Sequence, residues 1–263
     1  MKLKSKKTTV NEREIDDGGG LLADGLLQRG ELTLLLGCPG VGKMHAALWL
    51  AGIGARGYGD WFGHPVRSSF RTLVVQRDMG STRLARALRA LNLPEASMDS
   101  IRVSTVPDTI MRFDVPMVYK TFKAEVKRFQ PDLVIINPSN IFEEGGSGLV
   151  QIARVRKALK AADVPPALLF VHHLRKPRVN ARHRRGKIFS QTVFYTMSST
   201  AREACVLNYA SDAVEDSRVV FSVVKSDGPF YPGPPRTAWR PQPEGFEAVA
   251  DFDWESFDRE EAR

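Results

Sequence analysis

Short unbroken apolar runs alternate along the chain with longer stretches whose apolar positions recur every three to four residues. The runs ELTLLLG (31–37), FRTLVVQRD (70–78), IRVSTV (101–106), PDLVIINPS (131–139) and PALLFVHHL (166–174) read as strands. Their lack of polar alternation marks strands covered on both faces. Between them lie helical patterns: MHAALWLAGIGA (44–55), STRLARALRALNL (81–93), VPMVYKTFKAEVKRF (115–129) and GLVQIARVRKALKAA (148–162). Ser81 or Thr82 is the expected cap of the second helix, and Pro131 stops the third. Strand–helix alternation of this kind predicts an α/β domain with a mostly parallel twisted sheet flanked by helices.

The pattern changes after residue 200. ACVLNYA (204–210) and SRVVFSVVKSD (217–227) alternate like a hairpin, which predicts a C-terminal antiparallel edge. GPFYPGPPRTAWRPQPEG (228–245) is too rich in Pro and Gly for regular structure, and the acidic tail EAVADFDWESFDREEAR is expected to be loosely held. The predicted organisation is a mobile arm over 1–20, one domain over 21–228, and the Pro/Gly segment with its tail over 229–263.

Composition narrows the partners more than the fold. Apolar residues at 43% of the 263 supply a sizeable core, and a formal charge of +8 points to an anionic partner. Cys38 and Cys205 are too few for a disulfide framework, which fits a reducing cytoplasm. No apolar run reaches the roughly 18 residues of a membrane span.

The chemistry concentrates at GCPGVGKM, Gly37 to Met44. Strand, glycine loop and helix follow one another, as a phosphate-binding loop of the G-x-x-x-x-G-K-[ST] type requires. Gly37, Gly40 and Gly42, with Cys38, Pro39 and Val41 between them, turn backbone N–H groups toward phosphate oxygens, and Lys43 adds a point charge. The last position departs: Met44 stands where a Ser or Thr hydroxyl holds magnesium.

With these residues in view, the chain from about Gly25 to about Lys225 resembles the RepA-like members of the RecA-type ATPases, which include hexameric replicative helicases of plasmids. The resemblance rests on GLLQRGELTLLLGCPGVGK, RTLVVQRD, LVIINPS, LLFVHHLRKP, MSSTAREACVL and VVKSDG. It implies a RecA-type P-loop NTPase fold, ATP as cofactor, single-stranded DNA as partner and a homo-oligomeric, hexameric ring. It also implies roles. Lys43 would hold the phosphates, position 77 would be the water-activating glutamate, and position 137 the aspartate behind magnesium. His172 or His173 would sense the terminal phosphate, and Arg202 and Lys225 would act on a neighbouring subunit's nucleotide.

Three positions break that pattern. Met44 offers a soft thioether where magnesium wants hard oxygen. Asn137 lacks the carboxylate charge, and Arg77 cannot act as a base. Asp78 is the acid left nearby, on a strand that would turn it away from residue 77. Together the changes shift the local charge by about +3, which leaves magnesium in question and suggests Arg77 as a partial substitute for the ion. The readings left open are metal-free nucleotide binding, an unused site, and residual catalysis; a helicase or translocase in mobile-element replication stands against a non-catalytic regulatory or scaffold protein.

Two further features carry expectations. At least one of His172 and His173 should reach a cleft at the strand's C-terminal edge, against the plainer alternative of histidines satisfied by backbone; a metal site completed by His183 is weakly supported. The run RKPRVNARHRRGKI holds seven cations (Arg175, Lys176, Arg178, Arg182, Arg184, Arg185 and Lys187) and no acid. In the family the matching loop contacts single-stranded DNA. Phe189, Phe194 and Tyr195 either stack on bases or belong to the core, and a merely solvated loop is the alternative.

Overall fold

β1 (Leu32–Gly37) is buried at every position, because it lies near the middle of a nine-stranded sheet with helices on both sides. The computed structural model describes residues 26–77, 79–105, 112–137, 148–173, 200–226 and 236–261. In chain order, β1 leads to α1 (Lys43–Arg56), a small hairpin of β2 (Gly59–Trp61) and β3 (His64–Val66), and β4 (Thr72–Gln76). Then come α2 (Ser81–Ala90), the short α3 (Glu95–Met98), β5 (Ile101–Thr105), α4 (Pro116–Phe129), β6 (Leu133–Asn137) and α5 (Gly148–Leu159). β7 (Ala167–His173), β8 (Glu203–Tyr209), β9 (Val219–Ser226), β10 (Arg236–Gln242), β11 (Gly245–Ala248) and α6 (Trp254–Glu261) complete the chain.

The sheet order is β11-β10-β9-β8-β1-β7-β6-β4-β5. From β8 to β5 all neighbours are parallel; from β8 to β11 all are antiparallel. This is the RecA-type α/β arrangement with an antiparallel C-terminal edge. Alternate residues of each strand enter opposite cores. Leu35, Val74, Ile135, Leu169, Val171 and Cys205 face α1, whereas Leu36, Val75, Ile136, Phe170 and Val206 face α4 and α5.

α1 is buried on nearly all sides, which its composition (Ala, Leu, Trp, Ile, Gly) permits. Its outer face meets an aromatic cluster: the Trp49 ring lies 5.2 Å from Phe62, 5.4 Å from Phe246 and 5.8 Å from Trp239. Trp239 belongs to the region 228–245 whose sequence predicts no regular structure, and Phe246 directly follows it. The prolines there do not prevent pairing: Pro241 sits in β10 opposite Phe246, and the hairpin shields α1 from water.

Three expectations are corrected. The tail is held: Phe257 of α6 is buried with Ala210 and Val220, and Arg236 ion-pairs Asp258 while its guanidinium lies 4.5 Å from the Trp254 ring centre. Neither Ser81 nor Thr82 caps α2; Gly80 does, in an extended conformation and without a side-chain bond. The β8–β9 hairpin is not at the sheet margin, because β10 and β11 continue the sheet beyond it. Pro131 follows α4 as expected, with Gln130 closing the helix at φ 51°.

Candidate functional site

The loop after β1 folds as its glycines require. Gly40 and Gly42 take φ values of 83° and 96°, the left-handed region open to glycine at little cost. A Cβ on Gly37 would stand 2.3 Å from the Leu207 carbonyl oxygen, so β8 could not lie this close beside any other residue. Gly42 caps α1 without a side chain, leaving the helix's first N–H groups toward the loop.

The loop borders a cleft of about 210 Å³ at the C-terminal edge of the parallel strands. Lys43, Met44 and His45 enter from α1, Asn137 from the end of β6, and Val171 and His173 from β7. The far wall is Met79 and Arg83, from the start of α2.

Lys43 is 4% exposed, and its ammonium is satisfied within the protein. It donates to the Gly37 carbonyl at 2.8 Å, the Cys38 carbonyl at 2.7 Å and His173 Nδ1 at 3.0 Å. An ammonium only donates, so Nδ1 accepts and His173 is the neutral tautomer with its proton on Nε2. Strand parity decides between the two histidines. His173 shares the face of Leu169 and Val171 and meets the cleft; His172, 3% exposed, is on the face of Leu168 and Phe170.

Asn137 is 5% exposed and pairs in register with Gln76, the last residue of β4. Gln76 fixes the turn that follows. Its Nε2 donates to the Met79 carbonyl at 2.9 Å and its Oε1 accepts from the Met79 N–H at 2.8 Å. That clamp sets where α2 begins and therefore where Arg83 stands. Neither α1 nor α2 carries an acidic residue in its first turn. Arg83 lies near the N-terminal end of α2, where a cation opposes the helix dipole at about 0.3–1 kcal/mol for an exposed site. An anion in the cleft would offset that cost, because it is attracted by both the cation and the helix end.

His45 ties the cleft to the C-terminal hairpin. Its Nε2–H lies 2.8 Å from the Gln242 carbonyl and 3.0 Å from the Gly245 carbonyl, and its ring is 5.1 Å from Phe246. Tyr209 OH, at the top of β8, is 3.5 Å from the Pro39 carbonyl of the loop.

The other candidate residues fall elsewhere. Arg77 is half-buried past β4 and is not among the residues lining the cleft; the guanidinium there belongs to Arg83. Asp78, the basic run 175–187 with its seven cations, His183, Phe189, Phe194 and Tyr195 lie outside the described residues. Arg202 and Lys225 are at the opposite edge of the sheet. The Arg202 N–H bonds to the Leu32 carbonyl at the start of β1, and Lys225 Nζ donates to the Ala201 carbonyl at 2.6 Å. Five strand residues, roughly 16 Å, separate them from the loop of their own chain. Sequence reasoning missed Arg83, Met79, His45 and Gln76. The one signal for Arg83 is a basic residue near the start of a helix that has no acid there.

Magnesium does not fit the described lining. Its side-chain donors would be the Met44 and Met79 thioethers, the Asn137 carboxamide and the His45 and His173 imidazoles, whose Nε2 and Nδ1 respectively are already bonded, and no carboxylate lines the cleft among the described residues. A larger cavity, about 410 Å³, lies between residues 210–218 and α6. Its main charges are already engaged with each other: Arg218 bonds bidentately to Asp216 at 2.9 Å, and these bonds hold the Asp216 carboxyl below its usual range. Cys205 is inert for a different reason. Burial pushes its thiol well up, and the Glu203 carboxylate adds to the effect.

The sequence model of the AAA_25 family, an AAA domain, matches residues 20–179. The match takes in the glycine loop, β4, β6 and β7, and covers more than half of the chain. The chain belongs to this family. Its domain is therefore of the P-loop ATPase type, which implies nucleotide binding. The β8–β11 half-sheet and α6 lie beyond the matched residues. A search of curated proteins finds no match to the chain. Among the described residues no helix is long and apolar enough to cross a membrane.

Proposed function

We propose that the chain is a RepA-like protein that binds ATP at the Gly37–Met44 loop and single-stranded DNA through its basic run, and that it hydrolyses ATP poorly. The observation that carries the nucleotide half is the contact between Lys43 and His173. The phosphate lysine and the histidine assigned to sensing it share a bond of 3.0 Å in the same cleft. A terminal phosphate that drew Lys43 away would release His173 Nδ1, and the basic run begins two residues beyond that histidine. This gives nucleotide state a short covalent route to a DNA-binding segment.

Poor hydrolysis follows from what the cleft lacks. Phosphoryl transfer to water needs a positioned water and stabilised charge. Loss of a general base costs about 10²–10⁴-fold. Loss of a carboxylate behind the metal costs about 10–100-fold more. Arg77 and Asn137 occupy those two positions. Arg202 and Lys225, roughly 16 Å from their own loop, are suited to act on a neighbouring subunit's nucleotide in a ring. A second reading, a non-catalytic regulator of an active partner, is favoured by the absence of a carboxylate from the described cleft residues.

The test is paired binding. Titration with a fluorescent ATP analogue and with a labelled single-stranded oligonucleotide should give saturable binding of both. Lys43→Ala should lose the nucleotide and keep the DNA. Nucleotide binding unaffected by Lys43→Ala would remove the loop from the reading, and no DNA binding would leave the regulator.

A further inference from the structure

Taking the nucleotide-binding reading as its basis, we infer that this cleft accepts the triphosphate without magnesium, with Arg83 supplying charge that the metal would otherwise bring. The cleft presents two side-chain cations, Lys43 from α1 and Arg83 from α2, to one small volume. The family pattern combines one lysine, a glutamate, an aspartate and a divalent ion, which leaves one net positive charge. Lys43 and Arg83 supply more than that with no ion, because position 137 is a neutral Asn and position 77 is Arg. Magnesium added here would meet two like charges and, among the described lining residues, thioether, carboxamide and imidazole groups but no carboxylate; His45 Nε2 and His173 Nδ1 are already bonded to protein groups. An uncomplexed triphosphate is the more negative ligand, and it matches the site better than its magnesium complex.

The backbone points the same way. The start of α1 borders the cleft and α2 reaches it through Arg83 in its first turn; each helix is capped by a glycine that makes no side-chain bond, and neither first turn contains an acid. The N-terminal end of α1, with its positive dipole end, therefore faces an anion in the cleft. Gln76 holds the Met79 backbone at both its N–H and its carbonyl, so the helix that carries Arg83 is anchored rather than left to drift. The planar guanidinium offers two parallel N–H donors in a fixed fork to a pair of phosphate oxygens, whereas an ammonium acts as a point charge. In the absence of ligand, the Gly37 and Cys38 carbonyls and His173 occupy Lys43, and an incoming phosphate would exchange for them.

The experiment is calorimetric titration of the full chain with ATP, once in excess magnesium and once in excess EDTA. The same titrations are run on Arg83→Gln, Arg83→Lys and Lys43→Ala, with inorganic tripolyphosphate in EDTA as a second ligand. Arg83 is exposed, so its variants should fold, and a thermal melt checks that. Binding in EDTA at least as tight as in magnesium is the expected result. Arg83→Gln should weaken the EDTA titration by about 10- to 100-fold, the worth of a charge-assisted hydrogen bond, with partial recovery in Arg83→Lys. ATP tighter than tripolyphosphate would assign the base a share of the binding; equal affinity would assign it to the triphosphate alone, and both support the inference. Binding seen only with magnesium would overturn it and leave the nucleotide reading intact. An Arg83→Gln titration unchanged in EDTA would overturn the role of Arg83. No binding in either buffer would overturn the inference and the nucleotide reading together.

Discussion

Replacing His45 with Phe keeps a ring against Phe246 but removes the donor that two carbonyls share. In the wild-type chain that donor, Nε2–H, lies 2.8 Å from the Gln242 carbonyl and 3.0 Å from the Gly245 carbonyl. Both carbonyls belong to the β10–β11 turn, which lies against the start of α1. A partly buried acceptor stripped of its partner costs about 1–3 kcal/mol. For a domain of this size, each kcal/mol moves the melting temperature by about 2–4 °C. His45→Phe should therefore melt about 2–12 °C below wild type. His45→Gln, whose amide carries two N–H donors at similar reach, should recover most of the loss. Differential scanning calorimetry measures both, and near-UV circular dichroism reports whether the Trp49–Phe246–Trp239 cluster loosens with the hairpin. A His45→Phe melt within about 1 °C of wild type would refute the reasoning. So would a His45→Gln variant no more stable than His45→Phe.

Four further outcomes follow. Gly54→Ala should be destabilising by about 1–3 kcal/mol or more in urea, because the new Cβ would stand 2.1 Å from Phe70 Cε2; an unchanged midpoint would show that Phe70 has room to move. The Arg218 bonds lower the Asp216 pKa, so that pair stabilises the fold above the unfolded-state value near 3.9 and stops doing so as pH falls through the lower folded value; the stability gap between wild type and Asp216→Asn, at most about 1 kcal/mol near neutrality, should close in acid and not in base. Cys205, with its thiol raised by burial, should resist a thiol reagent at about pH 8 until the protein is unfolded, and rapid native labelling at that residue would contradict its burial. Neutralising Arg182, Arg184 and Arg185 together should reduce the salt slope of single-stranded DNA binding by about 2, at roughly 0.7 per phosphate contact; an unchanged slope would remove the basic run from the interface.

What was legible in the sequence was whatever local pattern decides. β1, β4, β6 and β7 announce themselves as apolar runs because both faces of each are covered, and the glycine loop announces itself by spacing. The β10–β11 hairpin did not, since its Trp239 and Phe246 are held by the Trp49 and Phe62 rings that they meet, against its own Pro-rich composition. The tail was hidden for a similar reason: WESFDREE looks like a solvated acidic stretch until Phe257 and Trp254 find their partners. In the site, Lys43 and Asn137 were legible from motif position, and His173 could be separated from His172 only once strand parity was known. Arg83 was not legible. Its place in the cleft depends on the turn that Gln76 clamps, a contact across three residues that no spacing rule encodes.

The most direct test is steady-state ATP hydrolysis by the full chain with magnesium and single-stranded DNA, measured beside Lys43→Ala. Turnover is expected to be no greater than that of the Lys43→Ala control, because the described cleft holds no carboxylate and residue 77 is Arg. Turnover well above the control would contradict it, and would mean that a group such as Asp78 activates water in this chain.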